Sequence, residues 1–282
     1  MKLVRDAAVV LAALALCPLV ALLAPDEAPL GRTRALADVE RSLGLLFEPG
    51  WHAWLADRPA LMTAAGLFYV WVHVPATIGA LVWARLERPH AFGLARDTFV
   101  ATQLLTVVGY LAWPVAPPRM APELGFSDTL ATVYGTSADS LAHSVQSPYA
   151  AMPSGHVAFA CVAAGVVFAL VRSRTLRVGA VLYVALVVVV IIATANHFWL
   201  DAMGGAAAAV AGLFTARCIR LRLGHRRKVD DGDFALAGNA RGGDRGGPGW
   251  PGRGAEAPGP GFRRNGAGAG LRTGRPGRAS AR

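Results

Sequence analysis

Two histidines, an aspartate and an arginine stand in short polar runs within an otherwise apolar chain. His156 lies in AMPSGHVAFA (151–160), His197 and Asp201 in NHFWLD (196–201), and Arg119 in WPVAPPRMAP (113–122). Proline suits the first turn of a helix, so Pro153 marks a helix start, and free N–H groups at such a start bind anions, phosphate above all. Ser154 and Gly155 sit at that start, and a glycine lets a ligand approach the backbone closely. His156 follows them and can give or take a proton. His197 and Asp201 are four residues apart, which on a helix puts them on one face. An aspartate beside a histidine holds one tautomer and stabilises the imidazolium. The planar fork of Arg119 suits phosphate oxygens, and Pro117 and Pro118 stiffen its approach. A cation, backbone amides, one histidine to attack and one to protonate are the parts of a phosphoryl-transfer site. Each motif also has a plainer reading. PSGH could be a helix start with an interfacial histidine. Asp201 could be a carboxylate favoured by a helix N-terminus, and Arg119 a snorkelling side chain.

These residues need elements to carry them, and the composition says which. The 282 residues are 54% hydrophobic and 16% charged, against about 25% charged in an ordinary soluble domain. The expected fold is therefore an all-α integral membrane protein. Six apolar runs approach the ~20 residues a spanning helix needs. They lie near 7–24, 61–84, 98–113, 153–171, 178–195 and 199–216. The last is the weakest, because Asp201 sits at its start and small residues crowd it. A carboxylate there costs at least ~2.5 kcal/mol on insertion scales, so a functional partner is the default expectation. Pro75 should kink the second run, where His73 is expected to be a hydrogen-bonder facing the bundle.

Arginine and lysine bias sets the orientation. Lys2 and Arg5, then Arg85, Arg88 and Arg96, then Arg172, Arg174 and Arg177, then the cluster from Arg217 to Lys228 all fall on one side of six spans. Both termini are then cytoplasmic, and all three polar motifs gather at the outer face. Within the first outer loop, Leu36, Val39, Leu43, Leu46 and Phe47 recur at helical spacing and predict a short interfacial helix over 35–47.

A domain of 1–221 is expected, followed by a disordered tail of 222–282. The tail carries 13 basic and 5 acidic residues, against 15 and 13 in the remainder. Rich in Gly, Pro and Arg, it cannot bury enough apolar surface to offset the entropy of ordering. Cys17, Cys161 and Cys218 lie in or beside apolar runs without metal or disulfide spacing. Asn196 and Asp128 are candidates for a supporting role around the site. Tyr134 and His143 share the outer loop of Asp128.

The ordered set PPRM, PSGH and NHFWLDAMGG, over about residues 35–216, resembles the type 2 phosphatidic acid phosphatase (PAP2) superfamily. Within it, the chain is similar to the branch of inositolphosphotransferases and inositol phosphorylceramide synthases. The resemblance implies a six-transmembrane-helix bundle of PAP2 type, with His197 as nucleophile forming a phosphohistidine. It implies His156 as the acid, Asp201 orienting His197, and Arg119, Ser154 and Gly155 holding phosphate. No cofactor and no metal is expected.

Two departures bear on the substrate. Where the phosphatase pattern has a lysine, seven residues before its first arginine, this chain has Ala112. Where that pattern has a serine–arginine pair, this chain has Val190 and Ile191. Fewer cations suit a phosphodiester, with one negative charge, over a phosphomonoester with two. The expected partners are the membrane, a phospholipid or lipid-phosphate substrate and an alcohol acceptor such as inositol, without nucleic acid. Alternatives are a lipid phosphate or polyprenyl pyrophosphate phosphatase, a metal-binding transporter or sensor built on the histidines and Asp201, and a scaffold working through its basic tail.

Overall fold

The computed structural model describes residues 2–23, 29–134 and 149–242. His143 and residues 243–282 lie outside them. By contacts the chain divides into Met1–Asp230 and Asp231–Arg282. The second unit is described only where the last helix ends. The described residues are helical apart from loops and one isolated bridge between Val115 and Ala150.

Ahead of the first motif run α1 (Lys2–Leu23), α2 (Pro29–Ser42), α3 (Glu48–Ala56), α4 (Pro59–Trp71), α5 (His73–Glu87) and α6 (Pro89–Ala112). A proline opens the first turn of α4 and of α6, where its missing N–H would have no intrahelical partner anyway. Two short 3-10 turns, Pro118–Met120 and Pro122–Leu124, then lead to α7 (Thr129–Tyr134). The chain continues with α8 (Gly155–Leu170), α9 (Arg174–Ala193) and α10 (Trp199–Gly242). Ser154 and Ser173 cap α8 and α9, their side chains accepting from Val157 N–H and Leu176 N–H, the preferred chemistry for an exposed helix start.

Helix α8 is the centre. It packs against α5, α6 and α9 and buries Val157, Ala158, Phe159, Ala160, Val162, Ala163 and Val166. Phe159 meets Phe99 of α6 with ring centroids 5.1 Å apart, in a cluster with Leu81 and Ala84 of α5. On its other side Val157 and Ala160 join Tyr69, Val187, Ile191 and Ala202.

Among the described residues, the six expected spans are corrected to two or three. By length and composition α9 and the Trp199–Leu223 part of α10 can cross a membrane, and α4 with α5 makes a third if the pair is one span. The shortfall has visible causes. Helix α8 runs only 16 residues, under the ~20 a span needs. Helix α6 carries Arg96, Asp97 and Gln103 among its apolar residues. In both passing helices only a third of the apolar window is buried. Val178, Val181, Leu182 and Leu186 of α9 and Val210, Phe214 and Ile219 of α10 are exposed, a continuous apolar surface that needs a non-aqueous neighbour.

One local expectation holds and two come out differently. The pair α4 and α5 bends by 45° at Val72, three residues before Pro75, whose ring clashes with the preceding turn of a continuous helix; the expected kink is there. The short helix expected over 35–47 is α2, which begins earlier, at Pro29, and ends at Ser42 ahead of a turn that leads to α3. Its inward face is Pro29, Thr33, Ala37 and Glu40, while Val39 and Leu43 are exposed. Polar anchors decide this rotation: Thr33 Oγ1 donates to Ala116 O at 2.8 Å, and Glu40 reaches α10. The tail expected from 222 is helical to Gly242.

Close approach of α8 and α10 rests on the glycines after Asp201. A Cβ on Gly205 would lie 2.2 Å from Ser154 O and 3.2 Å from Ala158 N, and one on Gly204 would lie 3.2 Å from Pro153 Cβ. Backbone atoms cannot step aside as a side-chain tip can. Gly205→Ala should therefore lower stability by about 1–3 kcal/mol, read as a fall in thermal midpoint in detergent. Gly79→Ala is the control. Nothing lies within 4 Å of a Cβ there, and it should leave the midpoint unchanged or raised.

Candidate active site

Backbone hydrogen bonds lace the three polar motifs together. Val115 N–H donates to Tyr149 O and Ala151 N–H to Val115 O, both at 3.1 Å, which joins the first motif to the second. Arg119 N–H donates to Ala195 O at 2.8 Å, joining the first to the third. Ser154 N–H donates to Asp201 O at 2.9 Å, joining the second to the third. The link at Ala195 is made by a non-glycine residue in the left-handed region, φ 53°, a conformation that costs an L-residue roughly 1–2 kcal/mol. It ends α9 and turns the chain so that Asn196 N–H and His197 N–H both donate to Ile191 O.

The imidazoles of His156 and His197 meet edge to face, centroids 5.5 Å apart. Both rings are almost wholly buried. His197 Nδ1 stands 3.5 Å from Asp201 Oδ2, an electrostatic contact longer than a good hydrogen bond. Asp201 itself is fully buried, and its Oδ2 accepts from Phe198 N–H at 2.8 Å, the reach-back of a capping box at the start of α10. Among the described residues neither His197 ring nitrogen has a hydrogen-bond partner. Buried polar atoms in that state call for a functional explanation, and a nucleophilic nitrogen awaiting substrate is one.

Arg119 is buried and its guanidinium is held on two sides. Nε donates to Asn196 Oδ1 at 3.0 Å, and Nη1 donates to both oxygens of Asp128 at 3.1 Å. Asn196 is fixed in turn by donating to Thr194 O and Oγ1. The structure thus brings together Arg119, Asn196, Asp128, His156, His197 and Asp201. Ser154 is fully buried at the cap of α8. Gly155 begins that helix facing the Tyr110 hydroxyl, which would lie 2.8 Å from an added Cβ. The side chain of Tyr134 lies outside the described residues.

Several contributors carry no sequence motif. Tyr69 stacks on His156 at 4.1 Å and 16°. Its carbonyl, freed at the helix break, lies 3.2 Å from His156 Nε2 and 3.1 Å from His73 Nδ1. A carbonyl only accepts, so both ring nitrogens carry protons. His73 is the hydrogen-bonder expected, but its ring also touches His156, centroids 3.8 Å apart. His52 of α3 donates through Nδ1 to Ala193 O, and its Nε2 accepts from Ser127 N–H. It thereby anchors the turn that presents Asp128 to Arg119. Pro75 was the one signal in the sequence pointing towards Tyr69 and His73.

A model of the PAP2 superfamily matches residues 34–215. The chain belongs to the PAP2 superfamily. Members are phosphatases or phosphotransferases acting on phosphate esters, often of lipids, and the chain is an enzyme of that kind, a membrane protein by its apolar helices. Neither a curated protein nor a solved structure matches the chain. The match spans all three motifs. At the positions where the phosphatase pattern has cations or a serine, Val190 and Ile191 are buried in the apolar core. Among the described residues no three His, Cys, Asp or Glu side chains converge as a metal ligand set.

Asn196→Ala should release the Arg119 fork at Nε. A hydrogen bond to a buried charged group contributes about 1.5–3 kcal/mol. Steady-state kinetics should therefore show kcat/KM for a phosphate ester reduced by about 10–100-fold, with the protein accumulating in membranes at wild-type level.

Proposed function

We propose that this PAP2 protein is a membrane-embedded lipid phosphoryltransferase of the inositolphosphotransferase-like branch, working through a phosphohistidine at His197. The observation that carries it is the buried His197, with both nitrogens free of hydrogen bonds, edge-on to His156 and beside Asp201. Asp201 faces Nδ1, which leaves Nε2 to attack phosphorus. The bond from phosphorus to the leaving oxygen breaks as His156 gives that oxygen a proton. His156 enters this step as the imidazolium beside the anionic substrate, and because its Nε2–H is held by the Tyr69 carbonyl, the proton delivered leaves from Nδ1. An acceptor hydroxyl then attacks the phosphohistidine, returns a proton to His156 and releases His197. Arg119, with the N–H groups at Ser154 and Gly155, carries the charge that develops on the phosphoryl oxygens.

The donor in this reading is a phosphodiester lipid and the acceptor an alcohol such as inositol. The cation count supports it. Asp128 already pairs with the Arg119 guanidinium, and Val190 and Ile191 add no cation. Cytoplasmic termini, with the site at the outer face, are the orientation this reading uses.

Product analysis tests the proposal. Purified protein given a labelled phosphatidylinositol-type donor and inositol should place phosphate on the alcohol. Phosphate release from phosphatidic acid should be at least about 10-fold slower, the discrimination that roughly 1.4 kcal/mol supplies. Faster release from the monoester would make the protein a phosphatase instead. His197→Ala should lower turnover by at least about 1,000-fold, as loss of a nucleophile does. Asp128→Asn, by removing a negative charge from Arg119, should shift the preference towards the monoester.

A further inference from the structure

The start of α10, which presents His197 and Asp201, is gripped by three carboxylates in succession. Asp201 Oδ2 takes the N–H of Phe198 at 2.8 Å, Glu48 Oε1 that of Trp199 at 2.9 Å, and Glu40 Oε1 that of Leu200 at 2.8 Å. Glu40 comes from α2 and Glu48 opens α3. Both are fully buried, and each has a second oxygen, Oε2, with no other partner among the described residues. Burial and the neighbouring Glu48 hold the Glu40 carboxyl protonated above the usual carboxylate range. A helix N-terminus, with about half a positive charge, favours the negative charge that remains.

Resting on His197 as the nucleophile, we propose that Glu40 and Glu48 are positioning residues: from two separate helices they clamp the first turn of α10 and set where His197 and Asp201 stand. A generic staple would not need this chemistry. The first-turn N–H groups of a membrane helix can be met by one capping side chain and water. Here they are met from two separate helices, each more than 150 residues away in the chain. The clamp closes on the residues between His197 and Asp201, so a shift of that turn is a shift of the imidazole.

The proton gives the clamp a pH signature. Burial, the neighbouring Glu48 carboxyl on α3 and the charge of Asp201 on α10 raise the Glu40 carboxyl to about 8. The folded state therefore keeps a proton that an unfolded glutamate loses near pH ~4.3. As pH rises through about 8 the pair takes a second buried charge and loosens.

The test uses full-length protein in membranes and the phosphate-transfer assay, beside wild type and His197→Ala. Glu40→Ala and Glu48→Ala should each lower kcat by roughly 10–100-fold, the cost of a misplaced reacting group, with KM changed by less than about 3-fold. Glu40→Gln, which copies the protonated carboxyl, should hold kcat within about 3-fold of wild type. It should also move the alkaline fall in kcat to higher pH. With wild type active and His197→Ala inactive, alanine variants at wild-type kcat, or Glu40→Gln with an unmoved alkaline fall, overturn the clamp and leave the site reading standing. Should the alanine variants fail to accumulate, the Glu40→Gln profile decides alone. Full activity in His197→Ala would remove the site reading and the clamp with it.

Discussion

The structure depends on three stretches of loop satisfying one another's backbone. Buried N–H and C=O groups must be paired, and between the helices there is no long strand or helix to pair them. Arg119 donates to Ala195, Ser154 to Asp201, and Val115 exchanges with Tyr149 and Ala151. Each bond satisfies a buried group and also fixes a functional side chain, because the donor or acceptor residue is itself in the site or next to it. The glycines at 204 and 205 follow from this. The bond from Ser154 to Asp201 forms only if α8 and α10 come close enough that a Cβ would collide with Ser154 O. The left-handed Ala195 follows as well, since its carbonyl must turn towards Arg119.

Charge is placed sparingly inside this frame. The guanidinium of Arg119 is balanced by Asp128 and steadied by Asn196. The carboxylates of Asp201, Glu40 and Glu48 are each spent on an N–H of the first turn of α10. Isolated buried charges are prohibitively costly, and each of these makes at least one hydrogen bond. Among the described residues the buried atoms without a hydrogen bond include both nitrogens of the His197 ring and Asp201 Oδ1 beside it.

The helices show how a membrane protein positions such a site. Helix α8 is apolar all round because protein surrounds it, whereas α9 and α10 are apolar on faces that remain exposed. Counting apolar length alone therefore misjudges both kinds. Shortness and polar residues keep α8 and α6 below a simple threshold, yet both pack at the centre of the fold. The break at Val72 adds a use for irregular backbone. The carbonyl of Tyr69, left over at the bend, accepts from His156 and His73 together, consistent with non-helical backbone tolerated in membranes where it is buried in protein.

The sequence by itself determined the superfamily and the candidate site. Arg119, Ser154, Gly155, His156, Asn196, His197 and Asp201 were legible because they are polar residues in a chain with few, and motif spacing fixes their local geometry. It also determined the helical class and the kink at Pro75, since apolar run length and proline act through the local backbone. Tertiary structure alone decided which helices have an exposed apolar length fit for a membrane. It also decided that α2 turns Thr33 and Glu40 inward rather than its apolar stripe. Tyr69, His73, His52, Glu40 and Glu48 reached the site only there. Their contributions are contacts between residues up to 160 positions apart, made by a carbonyl or a carboxylate whose partner is a backbone atom. Backbone atoms are the same at every position, so no pattern of side chains announces them.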